Sequence, residues 1–222
     1  MASKKRWSIA QFAERKWWQR YLRNKDVNEY LAWKNSYWQG IHDMLVPHVP
    51  FSSAKSIADI GCGPAGIFML YQASHAVTAI DPLLDSYEQS LPHFKRSMYP
   101  AVKFVNQSLE EYRAQENFDI VYCLNAINHV QDITLSYAQL CSSLEDGGYL
   151  IVSIDAHNYA WLKKIFQAIP GDVLHPHQYE AHEYEAFATK HGMQLLHQQL
   201  IKREGIFSYY MQVFKKGGGD KA

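Results

Sequence analysis

The chain is poor in cysteine, carries no excess of charge and has no long apolar run. Its three cysteines, Cys62, Cys123 and Cys141, are widely spaced. An odd number with no paired spacing argues against a disulfide framework and against a cysteine metal knuckle. Lysine plus arginine equals aspartate plus glutamate at 22 each, so the formal charge is zero. That balance argues against nucleic acid as the main partner, because phosphate binding needs clustered positive charge. No segment approaches the roughly 20 apolar residues that span a bilayer. The basic stretch Met1 to Arg6 has no apolar signal core after it. These absences predict a cytoplasmic protein, monomer or homodimer, with no membrane span and no nucleic-acid partner.

Apolar residues make up 47% of the 222, enough to build one domain with a cap. The chain divides into a helical, aromatic-rich cap at 1–50, a core at 51–216 and a disordered tail at 217–222. In the cap, helices are predicted over Ser8–Arg23 and Val27–Leu45, with Pro47 and Pro50 ending the pattern. Strand and helix signals then alternate from about 55 to 155, as a parallel sheet requires. Beyond lie a helical insert near Trp161–Phe166, a helix over Ala181–His191 and two closing strands, Met193–Lys202 and Phe207–Lys215.

Chemistry concentrates at Ile57-Ala58-Asp59-Ile60-Gly61-Cys62-Gly63-Pro64-Ala65-Gly66. This reads as a strand ending in an acid, a glycine turn and a helix opening from Ile67 to about Ala73. Such a unit lets backbone approach a nucleotide-like ligand. The spacing G-x-G-x-x-G also occurs in dinucleotide sites, where a helix N-terminus faces a pyrophosphate. Asp59 would repel that anion and suits a cationic ligand instead. The segment resembles the first motif of the class I S-adenosylmethionine-dependent methyltransferases, acid-x-Gly-x-Gly-x-Gly, with the third glycine shifted by Ala65. By that resemblance Asp59, Gly61, Cys62 and Gly63 contact the cofactor.

Further motifs follow in order. The run Val77–Ile80 ends at Asp81-Pro82, 20 residues after Gly61, where a carboxylate can accept from both ribose hydroxyls. The third strand, Val102–Asn106, leads to Ser108 and Leu109, which the resemblance sets against the adenine. The fourth, Phe118–Leu124, leads to Asn125-Ala126-Ile127-Asn128-His129, the family's loop between cofactor and acceptor. Leu144-Glu145-Asp146-Gly147-Gly148 precedes the strand Tyr149–Ile154 and resembles the family's L-x-P-G-G turn. The fold so implied is a Rossmann-like α/β methyltransferase, with a seven-stranded, mostly parallel sheet, a C-terminal antiparallel hairpin and an N-terminal helical cap.

The implied activity is methyl transfer from S-adenosylmethionine to an oxygen or nitrogen of a small-molecule acceptor. A base is required only if that acceptor must lose a proton. Candidates are His129 in the loop after the fourth strand and His175 and His177 in the stiff His-Pro-His loop. Candidate acceptor contacts are Tyr37, Trp38, Asn128, His157 and Tyr179, with Lys34 beside Tyr37 and Trp38 as a lid contact. Catechol methyltransferases of ubiquinone synthesis carry E-x-x-E-H after this strand to hold a divalent ion. Here Asn125 and Asn128 replace both carboxylates, which predicts no metal. The alternatives are a nicotinamide-dependent oxidoreductase, which shares the glycine turn and Asp81, and a binding module without turnover.

Overall fold

The computed structural model describes residues 4–157, 179–204 and 207–218. Helices α1 (Lys4–Leu22) and α2 (Val27–Leu45) come first. They are followed by β1 (Ser56–Ile60), α3 (Phe68–Tyr71), β2 (Ala76–Ile80), α4 (Leu84–Ser90) and β3 (Val102–Val105). Then come β4 (Phe118–Cys123), α5 (Ile133–Ser142), β5 (Leu144–His157), α6 (Ala181–Thr189), β6 (Met193–Glu204) and β7 (Phe207–Lys216). The strands form one seven-stranded sheet in the order β3-β2-β1-β4-β5-β7-β6. All neighbouring pairs from β3 to β5 are parallel, whereas β7 runs antiparallel to both β5 and β6. This is the Rossmann-like sheet with a closing hairpin that the sequence predicts.

Local chemistry sets the element ends. Asp26 caps α2, accepting from the amides of Asn28 at 2.9 Å and Glu29 at 3.0 Å. Asp132 does the same for α5 through the Leu135 amide at 3.0 Å. Glu180 and Glu183 form a capping box at the start of α6. Helix α1 starts at Lys4, four residues before the expected Ser8, and two further elements differ from the sequence expectation for a visible reason. The helix after the glycine turn is only Phe68–Tyr71, because the amides of Ser74 and His75 turn back to the Tyr71 carbonyl. Strand β5 begins at Leu144 rather than Tyr149, and the glycine pair forms a bulge inside it. Gly147 has φ of +78°, and a Cβ on Gly148 would lie 2.9 Å from the Glu145 carbonyl oxygen. The backbone can therefore shift register there without leaving the sheet. The expected insert at Trp161–Phe166, together with His175 and His177, lies outside the described residues.

Both faces of the sheet are covered, so β1 is buried from Ile57 to Ile60. One face packs Tyr30, Trp38 and Leu45 of α2 with Tyr71 and Tyr87 against Ile57, Tyr122 and Met211. The other packs Tyr137 of α5 and Tyr184 of α6 against Val121, Val152 and Phe214. At the amino edge, Asp119 joins β4 to the start of β1. Its Oδ2 accepts from the Lys55 amide at 2.7 Å, the Ser56 amide at 2.9 Å and the Ser56 hydroxyl at 3.1 Å. These donors hold the carboxyl below its ordinary range, against the opposing effect of partial burial.

Strand order reverses between β1 and β4, so a crevice opens at their carboxyl ends. Asp119 lies at the opposite edge. Asp119→Ala is expected to destabilise the fold by about 1–2 kcal/mol, the scale of backbone donors losing their acceptor at a half-buried position. Ligand affinity of the folded fraction should stay unchanged. Urea unfolding with the midpoint and slope compared to the parent checks this, and an unaltered midpoint refutes it.

Candidate functional site

The crevice is a cleft of about 890 Å³ lined by the segments that follow β1, β2, β3 and β4. Gly61 and Gly66 make it possible. Gly61 has φ of +75°, and a Cβ there would stand 2.3 Å from the Ala126 Cβ. The turn after β1 and the loop after β4 therefore meet only if residue 61 has no side chain. A Cβ on Gly66 would come within 2.3 Å of Asp59 Oδ2. That oxygen instead accepts the Phe68 amide at 3.0 Å, so Asp59 is enclosed beneath the turn rather than on the cleft wall.

Asp81 lies on the wall beside Gly61, Cys62, Gly63 and Pro82. It accepts the Gly63 amide on Oδ2 at 3.0 Å and the Leu83 amide on Oδ1 at 2.8 Å. The two acids are 2% and 5% exposed. Burial pushes both carboxyls up to about 7, more than the amide donors hold them down. Ser108 and Leu109 line the cleft from the segment after β3, and Asn125 and His129 line it from the segment after β4.

The N-terminal helices complete the enclosure. Gln11, Glu14 and Trp18 reach in from α1, and Lys34 and Trp38 from α2. Trp38 donates its indole N–H to the Ala65 carbonyl at 2.9 Å, tying α2 to the glycine turn. Lys34 Nζ sits 4.1 Å above the centre of the Trp38 ring. Burial lowers its ammonium to about 8, while Asp59 pulls it back upward. Glu14 accepts from the Tyr87 hydroxyl at 3.4 Å. Burial raises Glu14, and its proximity in turn raises Asp81. Gln11 and Glu14 were not anticipated from sequence, and Trp18 only as one ring of the aromatic-rich cap. Their spacing of three and four residues puts them on one face of α1, and Glu14 is the sole acid before Asp26.

A second cavity of about 1090 Å³ shares Trp38, Leu124 and Asn125 with the first. Its other walls include Tyr37, Ser153, Tyr209 and Met211. Asn125 stands between the two cavities in the left-handed region, at φ of +53°. Its amide donates to Ser153 Oγ at 2.7 Å, the Ser153 hydroxyl donates to Asn125 Oδ1 at 3.1 Å, and Tyr37 hydrogen-bonds to its side chain. A strained residue fixed from several sides is the kind of feature that functional sites retain.

Two of the anticipated acceptor contacts lie elsewhere. Asn128 is 3% exposed and donates to the Tyr184 hydroxyl at 2.7 Å and the Asp155 carbonyl at 3.1 Å, joining β5 to α6. Tyr179 packs edge-on against Tyr184 and Phe187, with centroids 5.6 and 5.3 Å away. Both belong to the α5–α6 side of the sheet because α6 presents rings there. The backbone of His157 ends β5 opposite Phe207. Among the described residues no group of three His, Cys, Asp or Glu is arranged to hold a metal ion, and no helix is long and apolar enough to cross a membrane.

The wall therefore offers carboxylate acceptors, one lysine among the described lining residues, and aromatic surface. Such a set matches a ligand with hydroxyl donors, a carboxylate and a cationic centre. It disfavours a pyrophosphate, which would face Asp81 and Glu14.

A family model described as "Methyltransferase domain" matches residues 27–198. The chain is 27% identical over 115 residues to a ubiquinone biosynthesis O-methyltransferase of Rickettsia canadensis, covering 51% of this chain and 48% of that protein. It is 32% identical over 125 residues to a tRNA U34 carboxymethyltransferase of Campylobacter concisus, covering 53% of this chain and 42% of that protein. The chain thus spans about half the length of the curated relatives it matches. Among solved structures, the 1,6-didemethyltoxoflavin-N1-methyltransferase of Burkholderia thailandensis, with bound 1,6-didemethyltoxoflavin and S-adenosylhomocysteine, superposes with a TM-score of 0.61. Identity there is 15%, with 98% of this chain and 92% of that one covered.

The raised carboxyls carry a stability consequence. A carboxyl at about 7 when folded and near 3.8 when unfolded holds its proton longer in the folded state. The stabilisation this gives is full at acidic pH and is lost as pH rises through about 7. Each group contributes at most about 1.4 kcal/mol per pH unit within that window. The ligand-free protein should therefore melt at a lower temperature as pH is raised from about 4 to about 7, and Asp81→Asn should flatten the trend. A parent melting temperature that climbs over the same range contradicts this.

Proposed function

We propose, for a chain that belongs to the class I S-adenosylmethionine-dependent methyltransferases, that the cleft binds S-adenosylmethionine and that methyl transfer goes to an oxygen or nitrogen of a small-molecule acceptor in the adjoining cavity. The observation that carries this reading is the joining of buried acids and one lysine in a single cleft at the carboxyl ends of β1 and β4. When bound, S-adenosylmethionine supplies a methyl group on a positively charged sulfur, open to in-line displacement.

The residues of the chain have separable tasks. Asp81 accepts from ribose hydroxyls, with Glu14 beside it as a further acceptor. Lys34 faces the carboxylate of the amino-acid portion. Ser108 and Leu109 flank the adenine. Asp59 braces the glycine turn through the Phe68 amide and adds negative potential near the positive ligand. Trp38 and Asn125 border both cavities, so they align cofactor and acceptor. The helices α1 and α2 act as a lid that keeps water from the reacting groups. The aromatic walls of the second cavity suit a flat acceptor. His129 lines the cleft next to Asn125 and Ala126 and is the described histidine best placed to remove a proton from an acceptor hydroxyl or amine. No metal is needed for any of these tasks.

Titration calorimetry checks the cofactor assignment. S-adenosylhomocysteine should bind with a dissociation constant of about 1 μM or tighter, with NAD weaker. Asp81→Ala should weaken binding by about 1.5–3 kcal/mol. Equal or tighter NAD binding supports the oxidoreductase reading instead.

The acceptor assignment calls for a metabolite screen that reads S-adenosylhomocysteine release. With an acceptor in hand, His129→Ala should lower turnover by about 10²–10⁴ while cofactor affinity is kept. A chelator should leave the parent rate unchanged. A loss restored by magnesium or zinc refutes metal independence. An increase in acceptor KM alone makes His129 a shaping residue rather than a base.

A further inference from the structure

Among the described residues, the exposed phenylalanine, tyrosine and tryptophan side chains all lie on the two N-terminal helices. Ile9, Phe12, Trp17 and Trp33 each leave more than half of their surface exposed, and Tyr21 and Tyr37 more than a third. Four of these rings belong to one strip that crosses from α1 to α2. Trp17 stacks on Tyr21 at 4.9 Å, Tyr21 meets Tyr30 at 6.3 Å, Tyr30 meets Trp33 at 5.8 Å, and Trp33 stacks on Tyr37 at 6.1 Å. Cations sit among them. Lys25 Nζ lies 4.7 Å from the Tyr21 ring centre, and Arg15 and Lys16 lie 5.2 and 5.7 Å from that of Phe12.

Charge is segregated in the same place. The first 25 residues hold eight lysines and arginines and one acid, Glu14, which points into the cleft. The remaining 197 residues therefore hold 14 bases against 21 acids. The zero net charge of the whole chain conceals a strongly basic α1 on an acidic body.

We propose that this surface docks on an anionic phospholipid membrane, with the α1–α2 aromatic strip at headgroup depth and Lys16, Arg20, Arg23 and Lys25 against the lipid phosphates. Three observations select this partner. Exposed Trp and Tyr favour the membrane–water interface, where an amphipathic ring has both its environments. Interleaved basic and apolar residues on a helix exterior are the signature of a helix lying in that interface. The charge is complementary to an anionic leaflet and is concentrated on the helix that carries most of the exposed apolar side chains. A single-stranded nucleic acid also stacks on aromatics, but it uses a positively charged groove. Here the rings sit on the outside of two helices, with Ile9 and Phe12 adding surface that bases do not need. Tyr37, the last ring of the strip, also lines the second cavity, so docking sets the mouth of that cavity beside the interface. The docking itself does not depend on what either cavity holds.

Co-sedimentation of the full chain with vesicles tests the proposal. Vesicles of phosphatidylcholine mixed with phosphatidylglycerol should bind at least about tenfold more tightly than phosphatidylcholine alone. Added salt should weaken the binding, and tryptophan emission should shift to the blue on association. Lys16→Glu combined with Arg20→Glu should remove at least about nine-tenths of the binding, and Trp17→Ser combined with Trp33→Ser should abolish the emission shift. Each variant is first compared with the parent by circular dichroism and by S-adenosylhomocysteine binding. Should the tryptophan pair unfold the chain, the charge pair alone decides. Absence of binding to the mixed vesicles overturns the proposal, as does binding unchanged by charge reversal. Preferential binding of a single-stranded oligonucleotide without vesicle binding replaces it with a nucleic-acid surface. A dimer that protects the strip and excludes vesicles assigns the surface to a second copy of the chain.

Discussion

Two carboxylates buried at the carboxyl edge of a parallel sheet are the constraint around which this molecule is built. Asp59 lies at the end of β1 and Asp81 directly after the adjacent β2, and among the described residues neither has a cation in direct contact. What holds them is backbone. Asp81 takes the amides of Gly63 and Leu83, and Asp59 takes that of Phe68. Burying a charge with only amide donors is unfavourable unless something further compensates. The glycine turn follows from this need. It brings amides to the acids at distances that a side chain at residue 66 would forbid, and at residue 61 it lets the β4 loop close over them. Sheet topology, turn sequence and site electrostatics are thus one solution to one problem.

The N-terminal helices add to the problem as well as relieving it. Lys34 lowers Asp59, while Glu14 raises Asp81. Without a ligand the cleft therefore collects acids that repel one another and a lysine that is itself partly desolvated. A ligand that donates hydroxyl hydrogens to one end and a carboxylate to the other resolves both strains at once. The residues that feel that strain belong partly to the sheet and partly to α1 and α2. A ligand in the cleft is consequently felt electrostatically by α1 and α2 as well as by the sheet. Trp38 anchors α2 to Ala65 and is buried, while Trp33 and Tyr37 of the same helix face outward.

The parallel half of the sheet could be read from the sequence because β1 to β4 are short, largely apolar runs, with Gly61 directly after β1 and Asp81 directly after β2. Gly61, Asp81 and Asn125 were legible because each follows a strand at the edge where ligands gather, and Asp59 because it is an acid set into the end of an apolar strand. The face of α1 that points inward was harder to read. Glu14 looks like a solvated charge in a basic helix, and only the packing of α1 on Tyr87 turns it toward Asp81. Asn128 and Tyr179 went the other way. Loop position put them near the cleft, but Tyr184 of α6 supplies a buried hydroxyl that needs a partner, and Asn128 satisfies it. Sequence adjacency places a residue at an edge. It does not say which face of the sheet the side chain will choose.

That choice of face has a functional meaning. Asn125 and Asn128 are three residues apart in one loop, yet Asn125 turns toward the α2 side and Asn128 is buried against the α6 side. Asn125 has left-handed backbone, and a short 3-10 turn at Ile127–His129 follows it. Asn128 then fastens the loop by pairing with both the amide and the carbonyl of Asp155 on β5, at 3.3 and 3.1 Å. With one asparagine locked into the sheet, the other is held in a strained conformation between the two cavities at little risk of relaxing. His129 follows the locked residue, so its backbone position is inherited from the β5 contact rather than from any ligand. The loop can therefore present Asn125 and His129 on the cleft wall before a ligand arrives. For the methyl transfer proposed above, such a prearranged edge is what a displacement that depends mainly on alignment requires.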